Sequence, residues 1–220
     1  MTRPEAMLLL GPTGSGKTPL GEALARRGLG GRRCVHFDFG AAMRRAVVAE
    51  RPPAGLRADD VAFLRRVLET GALLKDEHFP IAGKLLRAFL AERAAAGGCL
   101  VVLNGLPRHV GQARDVEAIV AVRAVVELAA DADTVARRIA TNAGGDRAGR
   151  RDDDADSIRA KLALYAARTA PLLDHYRLLG VPVCRMTVAP ATTAEELAGR
   201  IEAWGAQALE RRAGAGYSPG

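Results

Sequence analysis

Short apolar runs alternate along this chain with longer stretches of helical period, the pattern of a parallel sheet wrapped by helices. The runs at 6–10, 34–37, 99–103, 124–128 and 181–188 read as five strands. The run at 99–103 is nearly continuous, as expected of a central strand buried on both faces. Helical periodicity predicts helices at about 17–27, 41–50, 59–70, 81–95, 112–120, 133–140 and 194–210. Ile158, Leu162, Tyr165, Thr169, Leu172, Leu173 and Tyr176 hold one further helical face through Pro171, where a kink is expected. The fold class is α/β, with helices on both faces of a five-stranded parallel sheet. The pattern predicts a single domain over 1–212, with a helical lobe inserted at about 39–79, a short polar loop at about 142–152 and a disordered tail at 213–220.

Composition adds bounds to this picture. At 220 residues and 49% apolar content the chain can bury one substantial core. No apolar run is long enough to cross a bilayer, so no membrane association and a cytoplasmic location are expected. Cys34, Cys99 and Cys184 lie far apart in apolar stretches without metal-ligand spacing, and read as reduced core residues. His36, His78, His109 and His175 have no ligand or triad spacing and read as structural. The net charge of +7 comes from 28 arginines and only four lysines. Nucleic-acid binding is not expected, because no recognisable module is present and only 4% of residues are aromatic. Anionic small substrates explain clustered arginines at least as well.

Gly11-Pro12-Thr13-Gly14-Ser15-Gly16-Lys17-Thr18 matches the phosphate-loop pattern GxxxxGK[ST] in full, after a strand and before a helix. Gly11, Gly14 and Gly16 let the backbone turn with its N–H groups inward, and Thr13 and Ser15 complete the loop. The following helix adds its positive N-terminus, and polyphosphate fits such a concave site. Lys17 would reach the β- and γ-phosphates of ATP while the Thr18 hydroxyl would ligate Mg²⁺. Pro19 is tolerated because its missing N–H falls in the first helical turn. No NKxD sequence is present to read guanine, which counts against a GTPase.

Three features in order along the chain resemble the adenylate kinase and nucleoside monophosphate kinase family: the phosphate loop, Asn104-Gly105-Leu106-Pro107-Arg108 with Gln112, and the segment 149–173. The resemblance implies the P-loop NTPase three-layer sandwich, ATP and Mg²⁺ as cofactors, small-molecule nucleotide substrates, a monomer, and AMP as the favoured acceptor. Arg108 matches the arginine that closes the family's DG[FY]PR motif and would hold the acceptor phosphate. Gln112 would face the acceptor base. Arg44, in the stretch Asp38-Phe39-Gly40-Ala41-Ala42-Met43-Arg44, matches the family's other acceptor-phosphate ligand. Arg138 matches the arginine that covers the donor adenine, and Arg150 in Arg150-Arg151-Asp152-Asp153 matches the family's RxDD motif. On this reading Lys17, Arg108 and Arg150 are the catalytic residues, Thr18 and Asn104 lie at the metal, and Asp38 and Phe39 line the acceptor pocket.

The chain also departs from the family. Its lid can only be of the short kind, Asn142 replaces a lid arginine with Arg147 nearby as a substitute, and Lys161 replaces a later arginine, losing its fork. Asp38 and Phe39 replace small hydroxyl residues, and Asn104 replaces an aspartate. Two alternatives stay open at this point. One is a P-loop kinase of another small acceptor, with Asp38 as base toward a hydroxyl. The other is a nucleotide-binding regulator that has lost catalysis.

Overall fold

The computed structural model describes residues 3–70, 74, 76–94, 97–145 and 155–214. Along them run β1 (Glu5–Leu10), α1 (Lys17–Arg27), β2 (Cys34–Asp38), α2 (Phe39–Val48), α3 (Ala58–Thr70), α4 (Phe79–Arg93), β3 (Leu100–Asn104) and α5 (Val110–Glu117). Then follow β4 (Ala121–Ala129), α6 (Ala132–Ala140), α7 (Ala155–Leu164), α8 (Pro171–Leu178), β5 (Val183–Thr187) and α9 (Ala194–Gly214). The five strands form one parallel sheet in the order β2-β3-β1-β4-β5.

Alternation along each strand divides the apolar residues between two layers. Met7, Leu9, Val102, Val126 and Leu128 face α1 and α9, whose Leu20, Leu24, Leu197 and Ile201 close that core. Ala6, Leu8, Phe37, Val101 and Leu103 face the opposite layer, which holds α2, α3, α4, α5 and α8. Leu56, Leu64 and Val67 belong to this second cluster, so the core of the inserted lobe is continuous with that of the sheet. Every residue of β3 is buried, as its apolar run predicts. All three cysteines are free and buried, and burial pushes the Cys34 thiol up to about 11, which makes it unreactive. Among the described residues no helix is long and apolar enough to cross a membrane.

Several boundaries differ from the periodicity reading, most of them for a local reason. The β4 strand begins at Ala121 rather than 124, because a register shift leaves Arg123 bulged between Val122 and Ala124. That exposed arginine pairs with Glu5 and interrupts the apolar alternation. Helix α5 spans Val110–Glu117 and not 112–120, since buried Ile119 and Val120 lead into β4. Helix α4 starts at Phe79, with Pro80 inside its first turn, where no N–H is needed. The expected kink at Pro171 takes the form of a wide turn over Tyr165–Thr169, in which Ala170 N–H bonds Tyr165 O at 2.9 Å. The wider turn gives the proline ring room that a regular helix denies it. Finally, α9 continues through Gly214, past the predicted start of the tail at 213.

Candidate functional site

The carboxyl ends of β1, β2 and β3 lie side by side, so residues distant in sequence meet at one sheet edge. The phosphate loop occupies the centre. Gly11, Gly14 and Gly16 adopt φ of 149°, 73° and 96°. A Cβ on Gly11 would lie 2.6 Å from Leu128 O and 2.7 Å from Ser15 Oγ, so only glycine fits there. Helix α1 has no side-chain cap at Gly16 and no acidic residue in its first turn. Its first ladder bond runs from Leu20 N–H to Gly16 O, which leaves Pro19 among the positions that donate none. The Ser15 hydroxyl is fully buried and has no hydrogen-bond partner among the described residues. A buried, unpartnered donor beside an uncapped helix N-terminus suits an anion. Lys17 Nζ donates to Gly11 O and Pro12 O, each at 2.7 Å, and Thr13 is half-buried on the loop.

Beside the loop, Asp38 and Asn104 stand opposite each other in the β2–β3 register. Thr18 Oγ1 donates to Asp38 Oδ2 at 2.7 Å, and Asn104 Nδ2 donates to the same oxygen at 2.8 Å and to Thr18 Oγ1 at 3.0 Å. Asp38 Oδ1 accepts Ala41 N–H at 2.8 Å, capping α2. Burial pushes the Asp38 carboxyl up, but the bonds from Ala41 and Thr18, with the charges of His36 and Arg44, outweigh it and hold the group below the usual carboxylate value. Among the described residues no cluster of three or more His, Cys, Asp or Glu could bind a metal by itself. The cluster instead offers a hydroxyl, a carboxylate and an amide, a set that suits Mg²⁺ bound mainly through phosphates and water.

The acceptor-side residues predicted from sequence gather across Asn104. Arg108 Nε donates to Gly105 O at 3.2 Å, its backbone N–H bonds Gln112 Oε1 at 3.0 Å, and its carbonyl accepts from Thr169 Oγ1 at 2.8 Å. Burial lowers the Arg108 guanidinium below the usual arginine value while Asp38 opposes this, and it stays charged at neutral pH. Gln112 is buried, with Nε2 3.4 Å from Leu74 O. Arg44 is exposed on α2 near Gly40 and Asp38. Phe39 is only 2% exposed, packs within the core near Phe37, and lies close enough to Gly105 that a Cβ there would be 3.5 Å from its own.

Arg138 reaches the loop from the other side. It is 4% exposed, with Nε bonded to Gly14 O at 3.1 Å and Nη1 bonded to Ala189 O, Pro190 O and Thr192 O at 2.9–3.1 Å. The guanidinium thereby fastens the phosphate loop to the β5–α9 connection. A cleft of about 430 Å³ beside it is lined by Gly16, Pro19, Arg138, Gly144, Pro190 and Thr192, a size that takes a nucleoside. Sequence reading missed the contribution of 189–193, whose signal was the run of small residues and proline after the last strand. Arg138→Ala would strand four carbonyls and is expected to cost about 2–4 kcal/mol, read as a lower urea midpoint.

Asn142 has a local explanation. At φ 46° it is the left-handed residue after α6, where Ala143 N–H bonds Arg138 O and its own N–H bonds Ile139 O. Asparagine tolerates that conformation better than arginine. Lys161 is half-buried on α7. Arg147, Arg150, Arg151, Asp152 and Asp153, with most of the predicted lid, lie outside the described residues.

No known family model matches the chain. Curated relatives do. An adenylate kinase of Xanthomonas campestris pv. campestris (strain 8004) is 33% identical over 179 residues, covering 79% of this chain and 86% of the relative. An adenylate kinase of Phenylobacterium zucineum is 32% identical over 175 residues, 77% of this chain and 83% of the relative. One from Methylobacterium nodulans is 30% identical over 184 residues, 80% and 84% respectively.

Proposed function

The chain belongs to the adenylate kinase family, and from that premise we propose that it moves the γ-phosphoryl group of ATP to a nucleoside monophosphate, with AMP the favoured acceptor. The observation that carries this reading is the convergence at one sheet edge of the phosphate loop, with Lys17 and Thr18, and of Arg108 from the end of β3. The loop would bind the ATP phosphates through its N–H groups and Ser15, and the cleft beside Arg138 would take the donor nucleoside. Arg108 and Arg44 would hold the acceptor phosphate, Gln112 would face its base, and Phe39 would line the pocket. Arg150 would act on the donor side.

Phosphoryl transfer of this kind asks the protein to align two anions, exclude water and neutralise charge. Lys17, Arg44 and Arg108 supply cationic groups from three segments. The acceptor oxygen is already ionised, so no general base is needed. Thr18 and the Asn104 side lie where Mg²⁺ would be held, and the ion would supply charge neutralisation at the phosphates. Closure of the 39–79 lobe and the 142–152 loop would keep water out. A cytoplasmic, monomeric enzyme completes the reading, and the three unpaired buried cysteines fit a reducing compartment.

The rival reading, a hydroxyl acceptor deprotonated by Asp38, has less support. The Asp38 oxygens are committed to Ala41, Thr18 and Asn104, and a carboxylate held below its usual pKa is a poor base. The test is an assay of ADP formation from ATP with a panel of nucleoside monophosphates. Turnover with AMP is expected, and absence of turnover with every monophosphate would overturn the proposal.

A further inference from the structure

Magnesium at a phosphate loop ordinarily has a full negative charge among its protein partners, supplied by a carboxylate at a neighbouring strand end. The end of β3 offers a neutral amide, Asn104. The amide also faces its neighbours with nitrogen: Nδ2 donates to Asp38 Oδ2 and to Thr18 Oγ1, and an amide N–H₂ is not a magnesium ligand. The carboxylate of the cluster stands one strand away. In the parallel register Asp38 lies directly opposite Asn104, and adjacent strands are only about 4.8 Å apart, so side chains at the two positions reach a common point.

Resting on the kinase reading above, we propose that Asp38 supplies the negative charge of the magnesium site, with Asn104 as a positioning residue that holds it against Thr18: the acid and its neutral partner have exchanged strand ends. The hydroxyl chemistry supports this assignment. Thr18 gives its proton to Asp38 Oδ2 and accepts one hydrogen bond from Asn104, leaving a lone pair on Oγ1 for a cation. A cation on that oxygen would sit one hydrogen bond from the Asp38 charge. The cap on α2 uses the other carboxylate oxygen, so capping and metal binding do not compete for the same atom. Asp38 is the carboxylate that the hydrogen bonds of Thr18 and Asn104 single out.

The test uses Mn²⁺ in place of Mg²⁺, with binding to the full chain read by electron paramagnetic resonance in the presence of a saturating non-hydrolysable ATP analogue. Asp38→Asn keeps an α2 cap. It is expected to weaken Mn²⁺ binding about 10- to 100-fold, the scale of losing a partner behind a metal ligand. Analogue affinity without metal and the melting temperature should change little, which a merely structural role would not predict. The exchanged double variant, Asp38→Asn with Asn104→Asp, is expected to recover Mn²⁺ affinity, and Asn104→Asp alone to tighten it. Unchanged Mn²⁺ affinity in Asp38→Asn, or no recovery in the exchanged variant, would overturn the proposal. A wild-type chain that fails to bind the ATP analogue would instead remove the kinase reading, and this proposal with it.

Discussion

Lys17→Ala is expected to lower the rate of phosphoryl transfer by about 10²-fold or more, roughly 3 kcal/mol, while the protein remains folded. The ammonium is half-buried and holds Gly11 O and Pro12 O at 2.7 Å, within its own loop. Those two carbonyls can turn to water when the side chain is lost, so the structural cost is modest. The catalytic cost is larger, because no other lysine lies on the loop and Arg138, whose guanidinium reaches the loop at Gly14 O, is held on four carbonyls. The loss should appear in kcat at saturating ATP and AMP, with a melting temperature close to that of the parent protein. Wild-type turnover in the variant would exclude the loop from the reaction.

Arg108→Ala should reduce kcat/KM for the acceptor by about 10²- to 10³-fold with little change in the ATP constant. Two of the three bonds that fix the Arg108 turn use its backbone, the N–H to Gln112 and the carbonyl from Thr169, and alanine retains them. What disappears is the bond from Nε to Gly105 O and a half-buried cation near Asp38 and the strand ends. Arg108→Lys should recover only part of the loss, since an ammonium restores charge without the two-pronged geometry that matches a phosphate. Arg44→Ala should act in the same direction but less, because Arg44 is exposed and its charge is screened by water. The opposite pattern belongs to Arg138→Ala, which should raise the ATP constant through the displaced loop. Steady-state kinetics with each substrate varied separately checks both claims. An unchanged acceptor constant and turnover in Arg108→Ala would remove that arginine from the site.

The strands and most helices were legible because each follows from a period that neighbouring residues carry. Strand β3 and helix α1 agree with their apolar patterns to within one residue. Where the pattern failed, an extra local device intervened: the bulge at Arg123 broke the alternation of β4, and the wide turn before Pro171 replaced a simple kink. Asn142 illustrates the same limit at the site. Against the family's pattern it reads as a lost arginine, whereas its φ of 46° makes it the left-handed residue that follows α6.

The sequence by itself determined the phosphate loop, because its glycines, Lys17 and Thr18 lie within eight consecutive residues and act through backbone geometry that those residues impose locally. It also marked Arg108 and Gln112, four residues apart on one turn. The tertiary structure alone decided which of the remaining polar groups meet. Asp38 and Asn104 are 66 residues apart, and they touch because β2 pairs with β3 in one particular register. Arg138 is 124 residues from Gly14 and about 50 from the β5–α9 connection, and it joins them only once β1, β4 and β5 are adjacent. Strand order and register come from burying both faces of the sheet together, a sum over many weak apolar contacts that no single stretch of sequence displays.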